Sequence, residues 1–158
     1  MPNWVLTNLK IAGAELPDFL AELFGAETKI GIKNVRLLES FLPTPELSSE
    51  ENGLPAWYTW RLENWGTKWD AVIKNIEIDI ASRMLSITCE FANSLPIEWA
   101  LTVSKRYPSL TFTFDEVWEE TGLFWGHIAI GNGNVIDDQI HIDDEANEVD
   151  IDYHASLS

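Results

Sequence analysis

Residues 76–91 read Ile76-Glu77-Ile78-Asp79-Ile80-Ala81-Ser82-Arg83-Met84-Leu85-Ser86-Ile87-Thr88-Cys89-Glu90-Phe91. Ile76, Ile78 and Ile80 alternate with Glu77 and Asp79. After the loop, Leu85, Ile87, Cys89 and Phe91 alternate with Ser86, Thr88 and Glu90. A period of two over both runs predicts two strands, joined as a hairpin through Ala81-Ser82-Arg83. Such alternation belongs to an antiparallel sheet with one face on a core and the other in water.

Downstream, Pro96 to Tyr107 reads as a helix, with Ser94 as its cap and Ile97, Ala100, Leu101 and Ser104 on one face. Lys105 and Arg106 suit its C-terminal dipole, and Pro108 stops it. Leu110, Phe112 and Phe114 alternate with Thr111 and Thr113. Phe124 to Ile130 and Val135 to Ile142 flank Gly131-Asn132-Gly133-Asn134, a hairpin turn. Upstream, Pro55 to Trp65 reads as a helix closed by Gly66. Thr44-Pro45-Glu46 has the N-cap, N1, N2 chemistry of a short helix, and Val35 to Leu42 reads as extended. Leu16, Phe19, Leu20, Leu23 and Phe24 form one helical stripe over 15–24, with Gly25 at C′. Trp4 to Ala12 makes a first strand, closed by Gly13. The order predicts an α+β, ferredoxin-like antiparallel sheet with its helices on one face. Residues 1–136 form the single domain, with 43–70 an inserted helical segment, and 137–158 an acidic C-terminal strand or tail.

The chain has 158 residues, Lys+Arg 10 against Asp+Glu 26, and a formal net charge of −16. Hydrophobic residues make up 46%, enough for a core and against wholesale disorder. Residues 1–106 hold all 10 basic residues and 14 acids, whereas 107–158 hold 12 acids and no Lys or Arg. That balance argues against direct nucleic-acid binding, which needs cations on the phosphates, and against docking on anionic membranes. Met1-Pro2-Asn3-Trp4 has no basic n-region before an apolar stretch, so no signal peptide is expected. No apolar run approaches the ~20 residues of a membrane span. A single cysteine, Cys89, excludes an internal disulfide and fits a reducing cytosol. The expected location is cytoplasmic.

The block Trp57-Tyr58-Thr59-Trp60-Arg61-Leu62-Glu63-Asn64-Trp65-Gly66-Thr67-Lys68-Trp69-Asp70-Ala71 resembles the signature of the YubB-like proteins. These are small uncharacterised proteins of bacterial plasmids and phages with a ferredoxin-like domain. Asn3-Trp4, Leu9, Ile11 and Gly13 match the family's first strand. Leu42-Pro43-Thr44-Pro45-Glu46 matches its Pro-x-Pro-Glu loop. Tyr107-Pro108-Ser109-Leu110-Thr111-Phe112 and Gly122-Leu123-Phe124-Trp125-Gly126 match its later strands. The resemblance covers about residues 3–130. Val5 stands where the family has Cys, Asn93-Ser94-Leu95-Pro96 where it has Trp-x-Pro-Pro, and the stretch beyond 135 lies outside the pattern. The resemblance implies a fold and a mobile-element setting in a bacterial host, and no activity.

Chemistry is sparse in the sequence. The Trp block could stack bases or sugars, but Trp57, Trp60 and Trp65 are read as packing the inserted helix onto the sheet, with Asn64 and Thr67 satisfying its end. Gly131-x-Gly133 lacks the third glycine, helix and lysine of a phosphate loop. Cys89 falls on the inward phase of its strand, a buried small hydrophobe. His127, His141 and His154 have no metal-ligand spacing. Residues 143–154 superficially resemble a calcium loop, but Glu148 occupies the glycine position and His154 the bidentate one. No catalytic residue, metal or cofactor is assigned, and the protein is not read as an enzyme.

The outward phase of the strands carries Glu77, Asp79, Ser86, Thr88, Glu90, Thr111, Thr113, Asp115, Trp125 and His127. Carboxylates and hydroxyls there exclude the stacking and basic residues of an RNA-binding sheet. The C-terminal stretch adds Asp137, Asp138, Asp143, Asp144, Glu145, Glu148, Asp150 and Asp152, with Val149, Ile151 and Tyr153 in alternation. Same-face residues of a strand repeat at about 6.6–6.8 Å, near the spacing of successive phosphates. The sequence therefore predicts a non-enzymatic acidic binding protein of a phage or mobile element. Its partner would be a basic, nucleic-acid-binding host protein, such as a restriction or CRISPR component, whose groove it occupies through Glu77, Asp79, Glu90, Asp115, Asp137, Asp138, Asp143, Asp144, Glu145, Asp150 and Asp152. Two other readings compete: a small-molecule or peptide-binding domain or divergent enzyme using the Trp block, Trp125 and His127, and an accessory protein with an inert acidic surface.

Overall fold

A computed structural model describes residues 4–25, 35–47, 50–51, 53–118 and 124–142, except for the side chains of 50–51, 116–118, 124–125 and 140–142. In chain order the elements are β1 (Trp4–Ala12), α1 (Leu16–Phe24), α2 (Leu37–Phe41), the two-residue strands β2 (Glu50–Glu51) and β3 (Leu54–Pro55), and α3 (Ala56–Asn64). Then come β4 (Val72–Asp79), β5 (Met84–Ala92), α4 (Ile97–Arg106), β6 (Thr111–Trp118), β7 (Phe124–Gly131) and β8 (Asn134–Ile142). The fold is α+β, built on a six-stranded sheet of order β4-β5-β1-β6-β7-β8. All neighbours run antiparallel. β1 and β4 therefore run parallel with β5 between them, and β5 and β6 run parallel with β1 between them.

The alternation of β1 and β5 survives intact. Val5, Leu9, Ile11, Leu85, Ile87, Cys89 and Phe91 are buried with Phe112 and Phe114 of β6 and Ile128 and Ile130 of β7. Leu16, Phe19 and Leu23 of α1 and Trp99, Ala100 and Val103 of α4 close this core from one side. The β7–β8 turn is the expected one, with Asn132 and Gly133 both at positive φ, 46° and 77°. A Cβ on Gly133 would meet the alkyl stem of Lys105 on α4 at 2.5–3.2 Å, so the tip is packed as well as turned. Gly133 N–H donates to Ser104 Oγ at 2.8 Å, tying that tip to α4.

Several local expectations need correction. Ile80 does not face the helices: it lies in the turn, 82% exposed, and Ile78 is 43% exposed because β4 is the outermost strand. In α4 the buried face is Trp99, Ala100, Val103 and Ser104, with Ile97 and Leu101 only partly buried. Ser94 does not cap α4; its hydroxyl donates to Gly66 O. Thr67 serves no helix end and donates instead to Ala92 O of β5 at 2.8 Å. Residues 43–47 are not helical. The Thr44 N–H and hydroxyl both donate to the Glu39 carboxylate, and its oxygen accepts from Arg61 Nε, which consumes the groups a cap would have used.

The largest correction is α2, which replaces the extended run expected over 35–42. Asp70 supplies what the local sequence lacks. Its Oδ1 accepts from Leu38 N–H at 2.8 Å and its Oδ2 from Glu39 N–H at 2.9 Å, capping the helix from 32 and 31 residues away. Leu37, Leu38 and Phe41 are then all buried. Burial raises the Asp70 carboxyl above its usual range, against the backbone N–H bonds, which pull the other way. In the neighbouring Trp block, Trp65 is fully buried and Trp60 packs edge-on against it at 6.1 Å. The Arg61 guanidinium lies 4.9 Å from the Trp57 ring centre and 4.7 Å from that of Trp65, while its Nη1 donates to Lys68 O.

Two outcomes follow for the folded chain. Asp70→Ala strips the acceptor from three backbone N–H groups and should cost about 2 kcal/mol in urea unfolding. Burial pushes the Cys89 thiol from 9.0 up to about 12, so a disulfide reagent at pH 8 should label it only through unfolding. Because the folded value is the higher one, its stabilising contribution is complete below about pH 9 and lost between 9 and 12. A Cys89→Ala variant should lack that component of the alkaline decline; labelling as fast as for a free thiol would contradict the burial.

Candidate functional site

With every described helix of the core on one side, the other face of the sheet carries mainly polar side chains, with Leu6 and Ala129 among them. The register lays them out in rows that cross the strands. One row runs Asn75, Thr88, Asn8, Asp115, His127, Gln139, and the next runs Glu77, Ser86, Lys10, Thr113, Ala129, Asp137. Both orders follow from alternation within the paired stretches, which the register shifts at Ile73/Asn75 and Ala129/Ile130 bound, since a residue one place off would point into the core. Asn8 and Lys10 sit at the centre of this face. The alternation of Leu6, Asn8 and Lys10 against Val5, Thr7, Leu9 and Ile11 carried that signal in the sequence, though the irregular apolar Leu6 and polar Thr7 obscure it.

The expected acids do not form one patch. Glu77 and Asp79 occupy the outermost strand at one side, while Asp137 occupies the outermost strand at the other. Five strand spacings of about 4.8 Å put roughly 24 Å of sheet between them. Several acids also have partners within the fold. Glu90 pairs with Lys74 at 3.1 Å, next to the irregularity in β4 between Ile73 and Asn75. Glu77 accepts from Asn75 Nδ2. Asp79 Oδ1 accepts from the Ser82 backbone N–H in the β4–β5 turn, and that bond holds its carboxyl below the usual range. Asp138 lies opposite Ile128 and so belongs to the helix side of the sheet, exposed at its edge. Asp143, Asp144, Glu145, Glu148, Asp150 and Asp152, and the alternation of Val149, Ile151 and Tyr153, lie outside the described residues. Trp125 stands in β7 between Val117 and His141, and its side chain is likewise outside them.

One cluster spans three strands. His127 Nδ1 lies 2.7 Å from Asp115 Oδ1 across β6–β7, and its Nε2 lies 3.6 Å from Asp137 Oδ2 across β7–β8. Gln139 Nε2 holds Asp137, at 3.3 Å from Oδ1 and 3.2 Å from Oδ2. Thr7, from the helix side, donates to the Asp115 carbonyl at 2.7 Å and fixes its backbone. No spacing rule points to this group, because 115, 127 and 137 meet only through strand register. Trp60 and Trp65 belong with the core on the helix side, so they and His127 share no pocket. Among the described residues, no three or more His, Cys, Asp or Glu are grouped to hold a metal ion.

Comparison of the chain with family models, with curated proteins and with solved structures returns no match in any of the three.

At the centre of the open face, Asn8 Oδ1 is sealed from solvent with no hydrogen-bond donor. An unpaired buried acceptor costs about 1–3 kcal/mol, and an apolar residue suits a β1 position flanked by strands on both sides. Asn8→Val should therefore raise the unfolding free energy by about 1 kcal/mol, read as a higher urea midpoint. A fall in stability would mean the carboxamide makes bonds that outweigh the orphaned oxygen.

Proposed function

We propose that this chain is a non-enzymatic, acidic binding protein of a phage or mobile element that occupies the nucleic-acid groove of a basic host defence protein. The observation that carries the reading is the uncovered sheet face. Glu77, Asp79, Glu90, Asp115 and Asp137 stand there with two cations, Lys10 at the centre and Lys74 paired with Glu90 towards one edge. Glu77 and Asp79 share one side of β4, at the roughly 6.6–6.8 Å repeat of alternate strand residues, close to the phosphate repeat of a nucleic-acid strand. A cationic groove would meet these carboxylates without displacing any helix. The mobile-element setting rests on the YubB-like resemblance of residues 57–71. The strand order of β4, β5, β1 and β6 supports reading that part as a ferredoxin-like core, with β7 and β8 added at one edge.

Residues 137–142 are the outer part of β8, so a truncation that tests the tail must begin after Ile142. Affinity capture from a bacterial lysate should recover a nucleic-acid-binding protein with the full chain. Competing double-stranded DNA should release it, as should ~1 M salt, where screening reaches only about 3 Å. Glu77→Gln with Asp79→Asn and Asp115→Asn should weaken capture and flatten its salt dependence. A complex indifferent to DNA, salt and these substitutions would sink the mimicry reading.

A further inference from the structure

We propose that His127 Nε2 and Asp137 Oδ2 form a two-ligand site for a borderline divalent transition ion such as Zn2+, whatever partner the sheet face takes. A carboxylate only accepts, so in the 2.7 Å contact with Asp115 Oδ1 the His127 Nδ1 is the donor, and in the neutral imidazole that tautomer offers Nε2 as the metal-binding nitrogen beside Asp137. At 3.6 Å the Nε2–Oδ2 gap is too long for a hydrogen bond. It suits two ligands on one ion: legs of about 2.1 Å to atoms 3.6 Å apart enclose about 118°, close to the tetrahedral angle. Each ligand has its own support from a neighbouring strand. Asp115 orients the imidazole, as carboxylates commonly do behind a metal-binding histidine, and Gln139 donates to Asp137. Both ligand side chains remain open to solvent, at 39% and 43% exposure, so the remaining coordination positions fall to water or to a group from a partner. An imidazole beside a single carboxylate favours zinc, copper or nickel over magnesium or calcium.

The test is titration of the full chain with Zn2+, followed by calorimetry and by the imidazole resonances of the three histidines. One saturable site is expected, with His127 Nε2 shifting on binding. His127→Gln should abolish it and Asp137→Asn should weaken it by on the order of 10–100-fold. Asp115→Asn and Gln139→Ala act through the ligands and should each weaken it about tenfold, with the urea midpoint little changed. Glu77→Gln with Asp79→Asn, at the far edge of the sheet, should leave it intact. Undiminished binding in His127→Gln or Asp137→Asn, shifts confined to His141 or His154, or the absence of saturable binding would each overturn the proposal.

Discussion

The carboxylate of Asp70 holds together the part of the molecule that has no sheet to rely on. A five-residue helix cannot form alone, because nucleation fixes several residues for each hydrogen bond gained. α2 persists because both of its ends are bonded from elsewhere. Asp70 takes the N–H groups of Leu38 and Glu39. At the other end, Trp99 Nε1 donates to Leu38 O, Arg106 to Phe41 O and Trp65 Nε1 to Leu42 O. With those groups satisfied, Phe41 enters an aromatic cluster, stacked on Phe19 at 4.3 Å and edge-on to Trp99 at 5.9 Å. Phe19 and Trp99 each meet Phe112 of β6 in turn. The carboxylate thus connects the inserted segment to both helices that cover the sheet.

This dependence explains which elements could be read from sequence. β5 and α1 depend on their own periodicity and on turns next to them, so Leu85 to Phe91 and Leu16 to Phe24 carry their signals locally. The Asn132-Gly133 turn is equally self-contained. α2 has no such signal: its N-terminal acceptor stands more than thirty residues downstream, and its first helical turn follows Arg36, which provides no side-chain cap. Thr44 had the right chemistry for a cap but is bonded to Glu39 and Arg61. Local propensity lost to tertiary partners at both places.

The same division applies to the open face. Alternation told which strand residues point outward, and Glu77, Glu90, Asp115 and His127 fall where it put them. Which of them are neighbours is a property of strand order, and strand order is not written in any one strand. β1 lies in the middle of the sheet although it comes first in the chain, so Asn8 and Lys10 stand among acids that follow them by more than sixty residues. Asp115, His127 and Asp137 come together by the same route, through two successive hairpin registers.

The placement of the cations gives the charge its meaning. Arg61 is engaged with Glu39, Thr44 and two tryptophan rings, Arg106 with Glu22 and Phe41, Lys74 with Glu90, and Lys68 with Trp69. Lys105 lends its stem to the β7–β8 tip. These five cations fasten the inserted segment, α4 and the β4 edge, while Lys10 stands on the open face. None of the positive charge lies in 107–158, where 12 acids have no Lys or Arg in their own part of the chain. Like charges held together oppose compaction, so a fold selected for stability alone would distribute its lysines otherwise. Hydrogen bonds such as His127 to Asp115 and Gln139 to Asp137 moderate that repulsion on the sheet without neutralising it. What remains is net negative charge on a face that no described helix covers.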